Sequence, residues 1–160
     1  MTSNGLVMPA TMSASGNANT LDDYEEGTFN PTYTAPGLSM AGYNNQDGSY
    51  VKMVRMVTFQ LQLASTGTHT GKSSSASLQI TGLPFTSDNF SNHGRPPVSV
   101  GHTTAWTTNA PGWAQVSDAS TLITLMYKSV ASGGTAPMVS DYLTNGTNQN
   151  ECYISGSYFN

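Results

Sequence analysis

The chain has 160 residues and carries five Lys and Arg against nine Asp and Glu, a formal net charge of −4. Charged residues make up 9% of it, against about a quarter in an average globular domain, while Ser, Thr, Asn, Gln and Gly supply nearly half. Five scattered cations cannot build the phosphate-neutralising patch on which nucleic-acid affinity rests, so nucleic acid is not expected as a partner. The single Cys152 excludes an internal disulfide framework and reads as a small buried hydrophobe. No basic stretch leads into an apolar run, and Lys52 and Arg55 break the most apolar segment, so neither a secretory leader nor membrane insertion is expected. The length suits one domain with one core.

In chain order, residues 1–20 are rich in Ala, Ser, Asn and Thr, with one apolar insert at Leu6, Val7 and Met8. Alone, such a segment buries too little surface to fold; it reads either as a frayed terminus or as an arm that orders on a partner. Charge then concentrates in Asp22, Asp23, Tyr24, Glu25 and Glu26, where an N-cap and acidic first-turn residues predict one short helical turn ending at Gly27. Residues 28–35 alternate like a strand that Pro31 confines to an edge or a bulge. Residues 42–49, with Asn44, Asn45, Asp47 and Gly48, read as a turn-rich loop.

The strongest strand signal is residues 50–63. Val51, Met53, Arg55, Val57, Phe59, Leu61 and Leu63 alternate with Tyr50, Lys52, Val54, Met56, Thr58, Gln60 and Gln62. The run is longer than an ordinary strand, so a bulge or a turn is expected near Val54-Arg55, with the second half the better core strand. Further strands are expected at residues 76–81, 98–104, 114–117, 122–127 and 152–159, with residues 133–137 acting as a separator. Seven or eight short strands without helical periodicity predict an all-β fold, an antiparallel β-sandwich or jelly-roll-like domain.

Three blocks in this order, NTLDDYEEGTFNP at residues 19–31, GSYVKMVRMVTF at 48–59 and LQITGLPF at 78–85, with ISGSYF at 154–159 as a weaker fourth, resemble the C-terminal domain of bacteriophage tail-fibre and tail-spike proteins. The resemblance implies a trimeric β-domain at the distal end of a virion fibre, often engaged with host-surface glycans. The chain departs from that pattern in two ways. Val54 stands where the family usually has a glycine, and Met1 lies close to the motif where the family's domain ends a long shaft.

Other chemistry is weakly signalled. The run Gly67 to Ser73 lacks the spacing and strand-to-helix setting of a phosphate-binding loop, and His69, His93 and His102 lack metal-ligand spacing. Asp47, Asp88, Asp118, Asp141 and Glu151 are isolated in expected loops, where carboxylates cap turns rather than form an acid/base pair. Trp106 and Trp113, among amides and hydroxyls, either fill the core or offer stacking faces to sugars.

These readings combine into a non-enzymatic phage virion protein, made in the bacterial host cytoplasm, with no cofactor and no metal. It forms a small fibre or fibre tip, is homotrimeric, and has an extended N-terminal arm. Residues 1–27 are expected to be the arm and acidic hinge, holding another virion protein of tail or capsid through Leu6, Val7 and Met8, and residues 28–160 the body. Host-glycan contact is expected at His102, Trp106, Asn109 and Trp113, at the end opposite the anchor. The alternatives are a capsid-attached decoration or head-fibre protein without a receptor role, and a glycan-degrading tail spike.

Overall fold

The computed structural model describes residues 23–92, 94–129 and 133–160. It contains β1 (Tyr24–Phe29), β2 (Thr32–Thr34), β3 (Tyr43–Met53), β4 (Met56–Gly67), β5 (Gln79–Thr81), β6 (Pro97–Thr104), β7 (Trp113–Val116), β8 (Ile123–Lys128), β9 (Thr135–Pro137) and β10 (Gly146–Phe159). Among the described residues there is no α-helix, only a 3-10 turn at Ser140–Tyr142. The strands form one curled antiparallel sheet, a half-barrel, in the order β1-β3-β4-β10-β6-β7-β8-β5-β2, with β9 beside β8.

The two ends of that order, β1 and β2, are separated in the chain only by Asn30 and Pro31. Pro31 has no backbone N–H to give a ladder, so it interrupts the strand, and each half pairs at a different edge. Gly82 makes the corner possible: at its φ of +102° a Cβ would come within 2.7 Å of the Asn30 carbonyl oxygen.

Four local expectations are corrected. Residues 24–29 are strand, not a helical turn, because the β3 ladder satisfies their backbone from Tyr24↔Met53 to Phe29↔Gly48. The strand therefore runs across the boundary drawn at residue 27. Residues 43–49 are strand, not loop, because β4 is long enough to pair with them; the polar side chains simply lie on the solvent face. The separator at 133–137 contains β9. Finally, the turn expected near Val54-Arg55 is present, as a hairpin whose only loop residues are Val54 and Arg55 with Met53 directly opposite Met56, and what is corrected is the common face given to the odd positions of the 50–63 run. A two-residue loop puts odd positions of β3 on the same face as even positions of β4, so Val51 and Met53 face outward while Val57, Phe59, Leu61 and Leu63 are buried.

The core joins those four residues to Cys152, Ile154 and Tyr158 of β10 and to Ile80, Val116, Ile123 and Leu125 from the other half of the sheet. Each such side chain contributes about 1.5–3 kcal/mol on full burial. Several buried polar groups are paired with one another. Tyr33 of the β2 edge donates its hydroxyl to the Asn150 carbonyl at 2.6 Å, and Asn150 bonds Ser65 and both backbone groups of Thr144. Buried His69 accepts from the Ala41 N–H and contacts Ser65 Oγ at 3.1 Å, and burial lowers its pKa.

Candidate functional site

Every second residue of β1, β3, β4 and β10 points out of the half-barrel, and the ladder registers set these residues in rows. At the hairpin end the row is Tyr24, Met53, Met56 and Phe159. Next comes Glu26, Val51, Thr58 and Ser157, then Thr28, Ser49, Gln60 and Ser155, then Asp47, Gln62 and Tyr153, with His102 of β6 beside Tyr153. The outer face thus passes from an apolar end to a platform of amides, hydroxyls and one phenol.

Two open depressions are set into this face. A depression of about 640 Å³ is lined by Thr28, Asp47, Ser49, Gln60, Gln62, Gly101, Tyr153 and Ser155, with others. A second, of about 680 Å³, runs on toward Glu26, Val51 and Thr58. Both include Thr28, Ser49, Gln60 and Ser155, so the two make one groove. Its Tyr153 end adjoins a register shift between β10 and β6, where β6 carries the extra residue Gly101; such a bulge adds twist and bends the sheet.

The groove has a held end and an unoccupied stretch. Tyr153 donates its hydroxyl to Glu151 Oε1 at 2.9 Å and accepts from Gln62 Nε2 at 3.1 Å, and Gln62 also reaches Glu151. The bond to Glu151 raises the Tyr153 pKa. The His102 ring is tilted against Tyr153 at 5.0 Å between centroids, its Nε2 3.9 Å from Glu151 Oε2. By contrast, the side chains of Thr28, Asp47, Ser49, Gln60 and Ser155 make no hydrogen bond to other described residues, which leaves their donors and acceptors open to a ligand. None of the five Lys and Arg lines the groove. Lys52 faces the other way and pairs with Asp23, Arg55 with Asp88 and Arg95 with Asp118, while Lys72 donates to the Leu143 carbonyl and Lys128 is on β8.

The residues singled out for receptor contact are not gathered into one place. His102 is exposed at the groove's Tyr153 end. Trp106 is partly buried, donating Nε1 to the Glu151 carbonyl at 3.1 Å and meeting Tyr33 edge-on at 5.8 Å, so it braces the core. Asn109 is half-buried in the loop before β7. Trp113 is 47% exposed and stands opposite Met126 on the other half of the sheet. Of the hinge motif, Asp23 pairs with Lys52, Tyr24 donates to Glu26 and Glu25 accepts from Tyr50. Leu6, Val7, Met8, Asp22 and His93 lie outside the described residues. Sequence reasoning named Asp47 only as an isolated loop carboxylate and missed Gln60, Gln62 and Tyr153 as candidate site residues; for the two glutamines the signal was the polar phase of the 50–63 alternation.

The described residues of the four sequence blocks, 23–31, 48–59, 78–85 and 154–159, meet in space. β1, β3, β4 and β10 are neighbours in the sheet, and Phe85 packs edge-on against Tyr50 at 5.3 Å while its backbone bonds the Tyr158 hydroxyl. No protein-family model matches the chain, and no curated protein matches it either.

Proposed function

We propose that this protein is a structural component of a bacteriophage virion, a small fibre or fibre tip that holds host-surface glycan in the groove on the outer face of its sheet. The observation that carries this reading is the groove: an open strip of unengaged hydroxyls and amides ending in a tyrosine ring, within the size range of ligand sites. Sugars present apolar ring faces and hydroxyls, and this surface offers the complementary pair. The coming together of the four sequence blocks is further support, since they form one packed unit. Turnover is not part of the reading. Glu151 is already engaged by Tyr153 and Gln62, and Asp47 stands two strands away on β3.

The homotrimer, the sandwich or jelly-roll kinship and an attachment arm on the N-terminal side of β1 belong to the same proposal. Weak sites repeated three times per fibre raise avidity by about a hundredfold or more where spacing permits simultaneous contact. The test is adsorption of particles carrying Gln60→Ala or Tyr153→Ala, alongside binding of purified protein to host glycan. Each substitution is expected to weaken binding about tenfold with an unchanged thermal transition. Undiminished adsorption and glycan binding in both folded variants would place the contact elsewhere.

A further inference from the structure

We infer that the groove selects neutral saccharide chains and rejects those bearing carboxylate, sulfate or phosphate groups. This rests on the glycan-binding reading above and names the class of glycan. The first element is charge placement. The acidic and basic residues that line the groove are carboxylates, Glu26 at one end and Asp47 on its flank, and a third carboxylate, Glu151, is bonded to Tyr153 at the other end. Among the described residues His102 is the only basic group near it, and its imidazole is turned to Tyr153 and Glu151.

Asp47 is decisive among these. It is exposed, lines the groove and has no hydrogen-bond or ionic partner among the described residues. Its field therefore reaches a bound ligand unneutralised. An anionic substituent about 5 Å from it, in a half-solvated groove, is disfavoured about tenfold. For a neutral sugar the same carboxylate is a good acceptor for hydroxyl donors. Selection thus comes from a repulsive group as well as attractive ones.

The second element is reach. The strip from Thr58 to Gln62 on β4 spans four residue steps, about 14 Å at the rise of a strand, room for an oligosaccharide of about three sugars. Gln60 and Ser155 sit at its centre and Tyr153 at one end, so a chain lying along β4 meets amide and hydroxyl groups before it stacks.

The experiment uses the full chain and an array of neutral hexose and N-acetylhexosamine trisaccharides, each with its uronate or sulfated counterpart. Dissociation constants are measured for wild type, Asp47→Asn, Glu151→Gln and the groove-filling Ser155→Trp, with thermal melting to verify folding. The expected result is at least tenfold tighter binding of neutral forms, a gap that narrows to about threefold or less in Asp47→Asn or at high salt, and loss of all binding in folded Ser155→Trp. Equal or tighter binding of acidic forms, abolished by Ser155→Trp, overturns the selectivity and leaves the glycan reading standing. A neutral preference that neither carboxylate variant alters overturns the assignment to these residues. Wild type that binds no sugar overturns both.

Discussion

The ring of Tyr50 lies over Gly27, its directly paired residue across the β1-β3 ladder, so that a Cβ at Gly27 would come within 2.9 Å of the ring. Two residues along, the relation is reversed: Phe29 lies over Gly48, where a Cβ would come within 2.6 Å. Each glycine accommodates the aromatic of the other strand, and the glycine-aromatic pairs set the register of an edge strand that is otherwise polar. The Tyr50 hydroxyl extends the arrangement by donating to Glu25, which raises its own pKa to about 12.

Replacing Gly48 is therefore expected to be costly. Gly48→Ala must displace the Phe29 ring from a packed position and should destabilise by about 1–3 kcal/mol. Urea unfolding checks this. In the double variant Gly48→Ala/Phe29→Ala the losses should fall short of the sum, since the clash and the ring are removed together; strict additivity would mean the two residues do not constrain each other.

The β3-β4 hairpin carries a removable strain. Val54 occupies the first loop position with φ +57°, and Arg55 is not in the positive-φ region. A β-branched side chain is disfavoured there. The loop persists because the flanking strands pair fully and the Val54 N–H donates to the Asp23 carbonyl at 2.7 Å. Val54→Gly should raise stability by about 1 kcal/mol after the entropy of glycine in the unfolded chain is charged against it. A shift of the urea midpoint to lower concentration would refute the strain.

The fold should fail in base. Burial pushes Tyr43, Tyr158 and Cys152 up to about 12, and Tyr33, fully enclosed beside Cys152, well above its usual value. In the unfolded chain a tyrosine ionises at about 10 and a cysteine at about 8.5. Groups raised on folding stabilise the native state fully below their unfolded values, and that stability drains away as pH rises toward about 12. Circular dichroism should therefore be constant to about pH 9 and collapse between about 10 and 12, together with phenolate absorbance. Cys152 should stay inert to thiol reagents until that transition. Ionisation of Tyr33, Tyr43 and Tyr158 at ordinary values in a still-folded protein would contradict the account.

The strand phase of Val57, Phe59, Leu61 and Leu63 was legible because period two and one buried face coincide there. The edge character at Pro31 was legible too, since it follows from a missing donor whatever the surroundings, but the division of the 28–35 run into two strands at opposite ends of the sheet was not. The strand at 43–49 was not, because Asn, Asp and Gly disfavour strands locally and only the long β4 partner overrides them. Which tryptophan faces in was not legible either: Trp106 is turned inward by Tyr33 and the Glu151 carbonyl, both distant in sequence. The groove itself depends on neighbours. Gln60 and Gln62 mark a polar face, but the sequence does not say that Ser49, Ser155 and Tyr153 complete it.

The proposed trimer has a specific surface to test. Seven large hydrophobic side chains are notably exposed among the described residues, and Val51, Met53, Val54, Met56 and Phe159 are five of them, all at the hairpin end of the outer face. Contiguous exposed apolar surface is uncommon on a lone soluble domain and marks an interface. The neighbouring Arg55 is neutralised by Asp88 at 2.6 Å. Five side chains fall short of the roughly 800 Å² per partner that a stable interface buries; the row is expected to be its apolar centre, with polar surface around it. Met53→Gln/Met56→Gln leaves the Val57 to Leu63 core untouched and should convert trimer to monomer in light scattering at micromolar concentration, while circular dichroism retains the β signature. Wild type that runs as a monomer would remove the trimer, and a double variant that stays trimeric would move its interface to another face.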